Sequence, residues 1–358
     1  MDSINTLSEF LLESGSQYRI FDMGRRVTPI DTSIFSDFEH VITPYPYPLQ
    51  QHAFVAVVFW NPQHVLANDT PGNSSSNQHY VWFLKLPLDE KGLLEQASRS
   101  QFLDLVIQAL GRSLEKTPNK EQQSALDHNP IIFKPSEQKL AAFTSQIKQV
   151  MKLPPSEFMS PALDYLQHSE SHDKWQSVGY QGLCDITARI SDPLFNQAIT
   201  NALPSLPEES FCALCCALEN VEVDNALAIK LLTILTTSIN DNNFIKIIHA
   251  ARALSSSKNN EIARHVFELL ISYEAPSSEL LDVLILMSGR YWTAMQESLS
   301  ALMYLEKVAA ADVEQDIFNQ LFSDLVFIPS CREAVLFVYQ TPNRSSKLTQ
   351  YFTNFSTQ

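Results

Sequence analysis

Gln17-Tyr-Arg-Ile-Phe-Asp-Met-Gly-Arg-Arg-Val-Thr-Pro-Ile30 is the stretch on which the reading of this chain turns. Tyr18, Ile20 and Asp22 alternate with Arg19 and Phe21, the period-2 pattern of an extended segment. Gly24 interrupts that pattern, and a glycine accepts positive φ without steric penalty, so Asp22 to Arg25 reads as a hairpin turn or bulge. Val27, Thr28 and Ile30 then form the return strand. Arg25 and Arg26 flank the turn with side chains directed oppositely. Two guanidinium forks beside each other suit a carboxylate or a phosphate, so Arg25 and Arg26, supported by Arg19 and Asp22, form the candidate ligand-binding group. Asp89 and Glu90 complete it, either as ordinary salt-bridge partners of the arginines or as carboxylates lining the same cleft.

Around this hairpin the first part of the chain reads as α+β. Residues 3–13 carry Thr6 and Glu9 at capping-box spacing with Leu7, Phe10 and Leu11 on one face, a short helix. A second short helix covers Thr32 to Glu39. The alternation of Pro44, Pro46 and Pro48 with Tyr45 and Tyr47 excludes helix and inner strand and implies an extended wall along the sheet. Phe54 to Trp60 is a continuous apolar, β-branched and aromatic run, a central strand, and Tyr80 to Leu86 returns from it. The polar stretch between, Asn61 to Gln78, reads as a mobile hairpin loop. Asp89 and Glu90 are expected at the start of a helix over residues 94–114, favourable to its dipole. Helices interleaved with four strands in hairpin order make an antiparallel sheet covered by helices. Neither a βαβ repeat nor a glycine-rich phosphate loop occurs, which removes dinucleotide and P-loop readings.

The first domain spans residues 1–115, and a polar linker with prolines at 118 and 130 spans residues 116–135. Within it Ile131, Ile132 and Phe133 form an apolar island, expected to dock between the two halves.

Residues 136–358 read as all-α. Apolar positions at Phe158, Leu194, Leu227, Ile262, Leu299 and Val335 step by 36, 33, 35, 37 and 36 residues. A second series, Trp175, Phe211, Phe244, Leu280 and Ile317, steps by 36, 33, 36 and 37. Two helices per period of about 35 residues is the mark of a helical repeat, and without the tetratricopeptide pattern the choice is a HEAT-like or armadillo-like array. A closed bundle of antiparallel helices remains the alternative.

Bulk properties narrow function by exclusion. The chain has 358 residues, and 25 Lys and Arg against 40 Asp and Glu give a formal charge of −15, against a nucleic-acid or anionic-membrane footprint. With no basic-then-apolar leader and no apolar run of spanning length, a cytoplasmic protein is expected. Cys184, Cys212, Cys215, Cys216 and Cys331 are an odd number in apolar surroundings, buried free thiols rather than a disulfide framework. His168 and His172, with Glu170 and Asp173 nearby, have zinc-like spacing but no third ligand, and they read as a solvated helix end. No GxSxG elbow or Cys–His pairing stands out, so neither a cofactor nor a metal is expected and no catalytic residue is assigned.

Three blocks carry a resemblance over the whole chain: Thr6 to Val27, Phe59-Trp60, and Trp82 to Leu94. In these the sequence resembles a bacterial family labelled only as a domain of unknown function, which implies one folded unit and brings no activity, cofactor or partner. The expectation is therefore architectural: a non-enzymatic scaffold or adaptor binding another protein through its helical array. The alternative is small-anion binding, or an enzyme activity, around Arg25 and Arg26.

Overall fold

The structure, a computed structural model, describes residues 4–61, 79–111, 119–168 and 174–356. The chain divides near Pro135 into two compact units, the first holding the sheet with four helices and the second the other described helices. Among the described residues there are 17 α-helices and four strands.

In the first unit α1 (Leu7–Glu13) leads into β1 (Gln17–Asp22), β2 (Thr28–Ile30) and α2 (Thr32–Glu39). β3 (His52–Trp60), β4 (Tyr80–Pro87), α3 (Gln96–Leu110) and α4 (Lys120–Asp127) follow. The sheet order is β2-β1-β3-β4, and every pairing is antiparallel. Ile20 faces Ile30 on one side and Val57 on the other, so β1 is an inner strand although it lies near the start of the chain. Continuous apolar sequence in β3 gives the other inner strand: Val55, Val57 and Phe59 join Leu84 and Leu86 in one core with Leu7, Phe10, Phe35, Phe38, Phe102 and Val106. The capping box at α1 forms as its sequence demands, Thr6 Oγ1 accepting from the Glu9 amide at 3.1 Å.

Two helical expectations are corrected here. α3 begins at Gln96 rather than beside Asp89 and Glu90, because Leu88 and Leu94 pair across a turn that occupies those two acids. Within the stretch read as linker, Lys120–Asp127 is helical, closed by a capping box between Asn119 and Gln122. Ile131 to Phe133 adds backbone pairing to β4: the Lys85 amide donates to Ile131 O at 2.6 Å and the Phe133 amide to Phe83 O at 3.1 Å. Ile131 is a member of the first unit's core, and the Phe133 ring meets Phe54 edge-on with centroids 5.1 Å apart. An exposed strand edge is thus covered by the chain itself. Phe133→Ala is expected to lower the first unit's stability by about 1–2 kcal/mol, the side chain being half-buried. Amide exchange at Lys85 and Phe133 should accelerate selectively, and unchanged exchange there would remove the anchor role. The Asn61–Gln78 loop falls almost entirely outside the described residues.

The second unit runs α5 (Glu137–Val150), α6 (Met159–Gln167), α7 (Tyr180–Thr187), α8 (Pro193–Ala202), α9 (Glu208–Leu218), α10 (Asn225–Asn240) and α11 (Phe244–Leu254). It continues with α12 (Asn260–Ser272), α13 (Ser277–Arg290), α14 (Ser298–Ala310), α15 (Gln315–Phe327), α16 (Pro329–Gln340) and α17 (Ser346–Ser356). Helix starts follow cap chemistry: Asp192 caps α8 with Pro193 in its first turn, while Asp224, Asn243 and Asn259 cap α10, α11 and α12. Neighbours are not consecutive helices alone. α5, α7, α9, α11 and α13 pack each on the next, and α6, α8, α10, α12 and α14 do the same.

Of the periodic apolar positions, Leu227, Ile262, Val335 and Phe211 are buried. Phe158, Leu194 and Leu299 are exposed. Leu194 stands in the first turn of α8, where the buried stripe is instead Phe195, Ala198, Ile199 and Ala202. One residue is about 100° of helix, so a regular apolar spacing in the sequence can be read on the wrong face.

Gly182 marks the tightest helix contact. A Cβ there would collide with the Phe158 carbonyl oxygen and come within 2.8 Å of Ala162 Cβ, so α6 and α7 approach as closely as they do only because the residue is glycine. Gly182→Ala is expected to lower stability by about 1–3 kcal/mol through overpacking. A denaturation midpoint equal to the parent's would show that the two helices part freely.

Candidate functional site

The loop between β1 and β2 is organised by Asp22. Its carboxylate is 1% exposed and accepts the backbone N–H groups of Gly24, Arg25 and Arg26 at 3.2, 3.1 and 3.3 Å. Tyr45 Oη donates to it at 2.7 Å. Successive backbone amides turned inward form a concavity for an anion, and here the anion is the protein's own side chain. Gly24 does not lie at positive φ; a Cβ there would sit 3.3 Å from Asp22 Oδ1, a tight contact with the carboxylate that organises the loop. Burial, followed by the adjacent Asp22 charge, pushes the Tyr45 hydroxyl well above its ordinary pKa, so Tyr45 remains a donor.

Arg25 is buried and its Nε donates to Pro48 O at 2.9 Å, tying the loop to the proline-tyrosine segment. Arg26 is half-buried, and Arg19 is exposed, with Nη1 on Tyr18 O at 2.9 Å and its guanidinium 5.8 Å from the Trp60 ring centre. Asp89 organises a separate turn, accepting from the Lys91 and Leu93 amides at 2.8 Å each, and Glu90 is exposed. Tyr45 joins the two turns, since its amide donates to Gly92 O at 2.9 Å while its hydroxyl holds Asp22. Asp22, Arg25 and Arg26 therefore come together, and Asp89 reaches them through Tyr45, a residue read in the sequence as part of a wall.

A second buried carboxylate also lacks any sequence motif. Glu39 at the end of α2 accepts the Leu7 and Ser8 amides at 2.8 and 2.9 Å, capping α1 from outside, and Arg99 Nη1 donates to the Glu39 carbonyl at 2.8 Å. It is a helix-end contact within the core.

Of the metal and thiol candidates, Glu170, His172 and Asp173 lie outside the described residues, and His168 is exposed with Nδ1 2.9 Å from Asp164 O. Among the described residues no group of three or more His, Cys, Asp or Glu is arranged to hold a metal. Cys184, Cys215, Cys216 and Cys331 are buried free thiols, and Cys212 is half-buried. Burial pushes Cys184 and Cys212 up to about 12, the opposite of an activated nucleophile.

The charged cluster of the second unit was not visible as a motif. Glu219, just past the end of α9, is 6% exposed. Arg252 of α11 grips it in two-pronged fashion, Nη2 to Oε1 at 2.6 Å and Nε to Oε2 at 3.1 Å. Arg290, the last residue of α13, donates Nε to the same Oε2 at 2.9 Å. Burial alone would raise the Glu219 carboxyl, but the Arg290 and Arg252 guanidiniums outweigh it and hold the group below its ordinary value. Tyr180 and Cys216 are the further groups whose fields reach Arg252, and burial favours the neutral form of both. One signal could have found the cluster: 219, 252 and 290 are 33 and 38 positions apart, close to the spacing of the apolar series, and each charge lies in or just past the last turn of its helix.

No curated protein and no solved structure matches the chain. A family model described as a protein of unknown function, DUF3549, matches residues 2–355, and the chain belongs to that family.

Proposed function

We propose that the protein is a non-enzymatic scaffold or adaptor, in which an open HEAT-like or armadillo-like array over residues 136–358 binds another protein. The observation that carries this reading is the set of hydrogen bonds linking positions one period apart. Ser145 Oγ donates to Asp185 Oδ1 at 2.7 Å across 40 residues, and Ser256 Oγ to Leu218 O at 3.0 Å across 38. Asn259 Nδ2 donates to Asn225 Oδ1 at 3.0 Å across 34, and Lys307 Nζ to Ile271 O at 2.8 Å across 36. These contacts join like positions of successive helix pairs, as stacking of modules requires. A stacked array leaves continuous helical surface for a partner, which is the usual use of the architecture. Binding of an anion at Arg25 and Arg26 draws less support, because the Asp22 carboxylate already fills the loop's backbone donors.

The test is affinity capture of the full chain after chemical cross-linking in its native cell lysate. One protein should co-purify reproducibly, with its cross-links on residues 136–358. Repeated captures without a reproducible partner, or cross-links confined to residues 1–115, would overturn the reading.

A further inference from the structure

We propose that Arg252 and Arg290 form a binding site for a carboxylate group. Two guanidiniums converge on one carboxylate, so the cluster carries a formal excess of one positive charge in a chain whose net charge is −15. The Arg252 side chain is 27% exposed and that of Arg290 is 17% exposed, so both are reached by solvent but largely withdrawn from it. Arg252 uses Nε and Nη2 on Glu219, leaving Nη1, and Arg290 uses Nε on Glu219 and Nη1 on Gly289 O, leaving Nη2. Neither remaining nitrogen has a protein partner among the described residues, and neither is a buried unsatisfied atom, so both are open to solvent. A neutral bridge between α9 and α11 needs only Arg252. Arg290 adds a second cation that Glu219 cannot neutralise.

The count of charge selects the ligand. One monoanion brings the cluster to neutrality, whereas a phosphate of nearly two negative charges overshoots it. A planar carboxylate also matches the fork of a guanidinium edge. The C-terminal carbonyls of α11 and α13 attract the same arginines, but that attraction acts within the last helical turn and does not occupy the outward nitrogens. The carboxylate has two possible sources, a free small acid or an acid carried on a peptide, and the experiment separates them.

Side-chain Nε–H resonances of arginine would be followed by NMR in the full chain. Sodium acetate is titrated against sodium chloride at matched ionic strength, then inorganic phosphate. A short peptide with a free C-terminal carboxylate is compared with its amide. Saturable shifts of Arg252 and Arg290 with acetate beyond those with chloride indicate a free carboxylate as sufficient ligand. Shifts with the acid peptide alone, and not its amide, indicate a peptide-borne one. Arg290→Met should weaken either interaction at least roughly tenfold, as expected for loss of a charge-assisted hydrogen bond. If that variant does not fold, Arg290→Lys replaces it, since an ammonium keeps the charge without the fork and should also weaken binding. Equal shifts with chloride, tighter binding of phosphate than acetate, no shift with acetate or acid peptide, or unchanged affinity in the folded variant would each overturn the proposal.

Discussion

Replacing Asp22 by alanine is expected to destabilise the first unit by about 3–5 kcal/mol, the range for removing one partner from a buried charged hydrogen-bond set. Three backbone donors and the Tyr45 hydroxyl converge on this carboxylate, and alanine removes that shared acceptor from a buried site. Asp22→Asn keeps one oxygen but turns an NH₂ toward donors, so a loss of about 1–3 kcal/mol is expected. Tyr45→Phe removes the hydroxyl's bond to Asp22 and its long 3.4 Å contact with Phe54 O, and should cost about 1 kcal/mol. In the double variant the two losses should fall short of additive, because both act on one carboxylate. Urea denaturation, following a signal of the first unit, measures the four variants against the parent. An alanine variant within about 0.5 kcal/mol of the parent, the ordinary range for surface substitutions, would mean that the loop holds without its central anion.

That loop shows what could be read in the sequence and what could not. The strands on either side of Gly24 follow from alternation, and the inner place of β3 follows from its unbroken apolar run, because both patterns are local. The family resemblance was likewise carried by contiguous blocks. Tyr45 was legible only as a residue between prolines: its partner lies 23 positions earlier, and nothing local tells a tyrosine in a wall from one whose hydroxyl closes a buried cage. Gln50 and Gln51 make the same point. Both have positive φ, 49° and 60°, in the turn that pairs Leu49 with His52, a place where Asn-Gly would have announced the hairpin. The apolar composition of Ile131–Phe133 is visible locally, yet its pairing with β4 within the first unit joins segments more than 45 positions apart and carries no sequence periodicity.

In the second unit the helical character and the recurring spacing of apolar positions were legible, whereas the buried face was not, because a helix presents its stripe with an offset that only packing fixes. Glu219, Arg252 and Arg290 lie at a similar spacing and escape a reading of the sequence for a related reason. Charged residues at helix ends are ordinarily solvated caps, so their spacing gains meaning only once α9, α11 and α13 are known to be neighbours.

Glu219→Gln tests that neighbourhood most sharply. At neutral pH the substitution removes the one negative charge between two largely buried guanidiniums and should destabilise the second unit by about 3–5 kcal/mol. The sign of its pH dependence follows from the direction of the shift. In the folded protein the Glu219 carboxyl titrates below its ordinary value of 4.5, so its stabilisation is present above that pH and is lost as pH falls through the folded value. Other carboxylates titrate in the same range, but they do so in parent and variant alike. The difference in unfolding free energy between the two proteins should therefore stay constant from pH 7 to about 5.5 and shrink on further acidification, as the parent's own carboxylate takes up its proton. Denaturant titrations of both proteins at a series of pH values measure that difference directly. A gap that stays constant into the acid range would assign the loss to the shape of the side chain rather than its charge, and Glu219 would then be a packing residue at the end of α9 and not the charge that draws α11 and α13 to it.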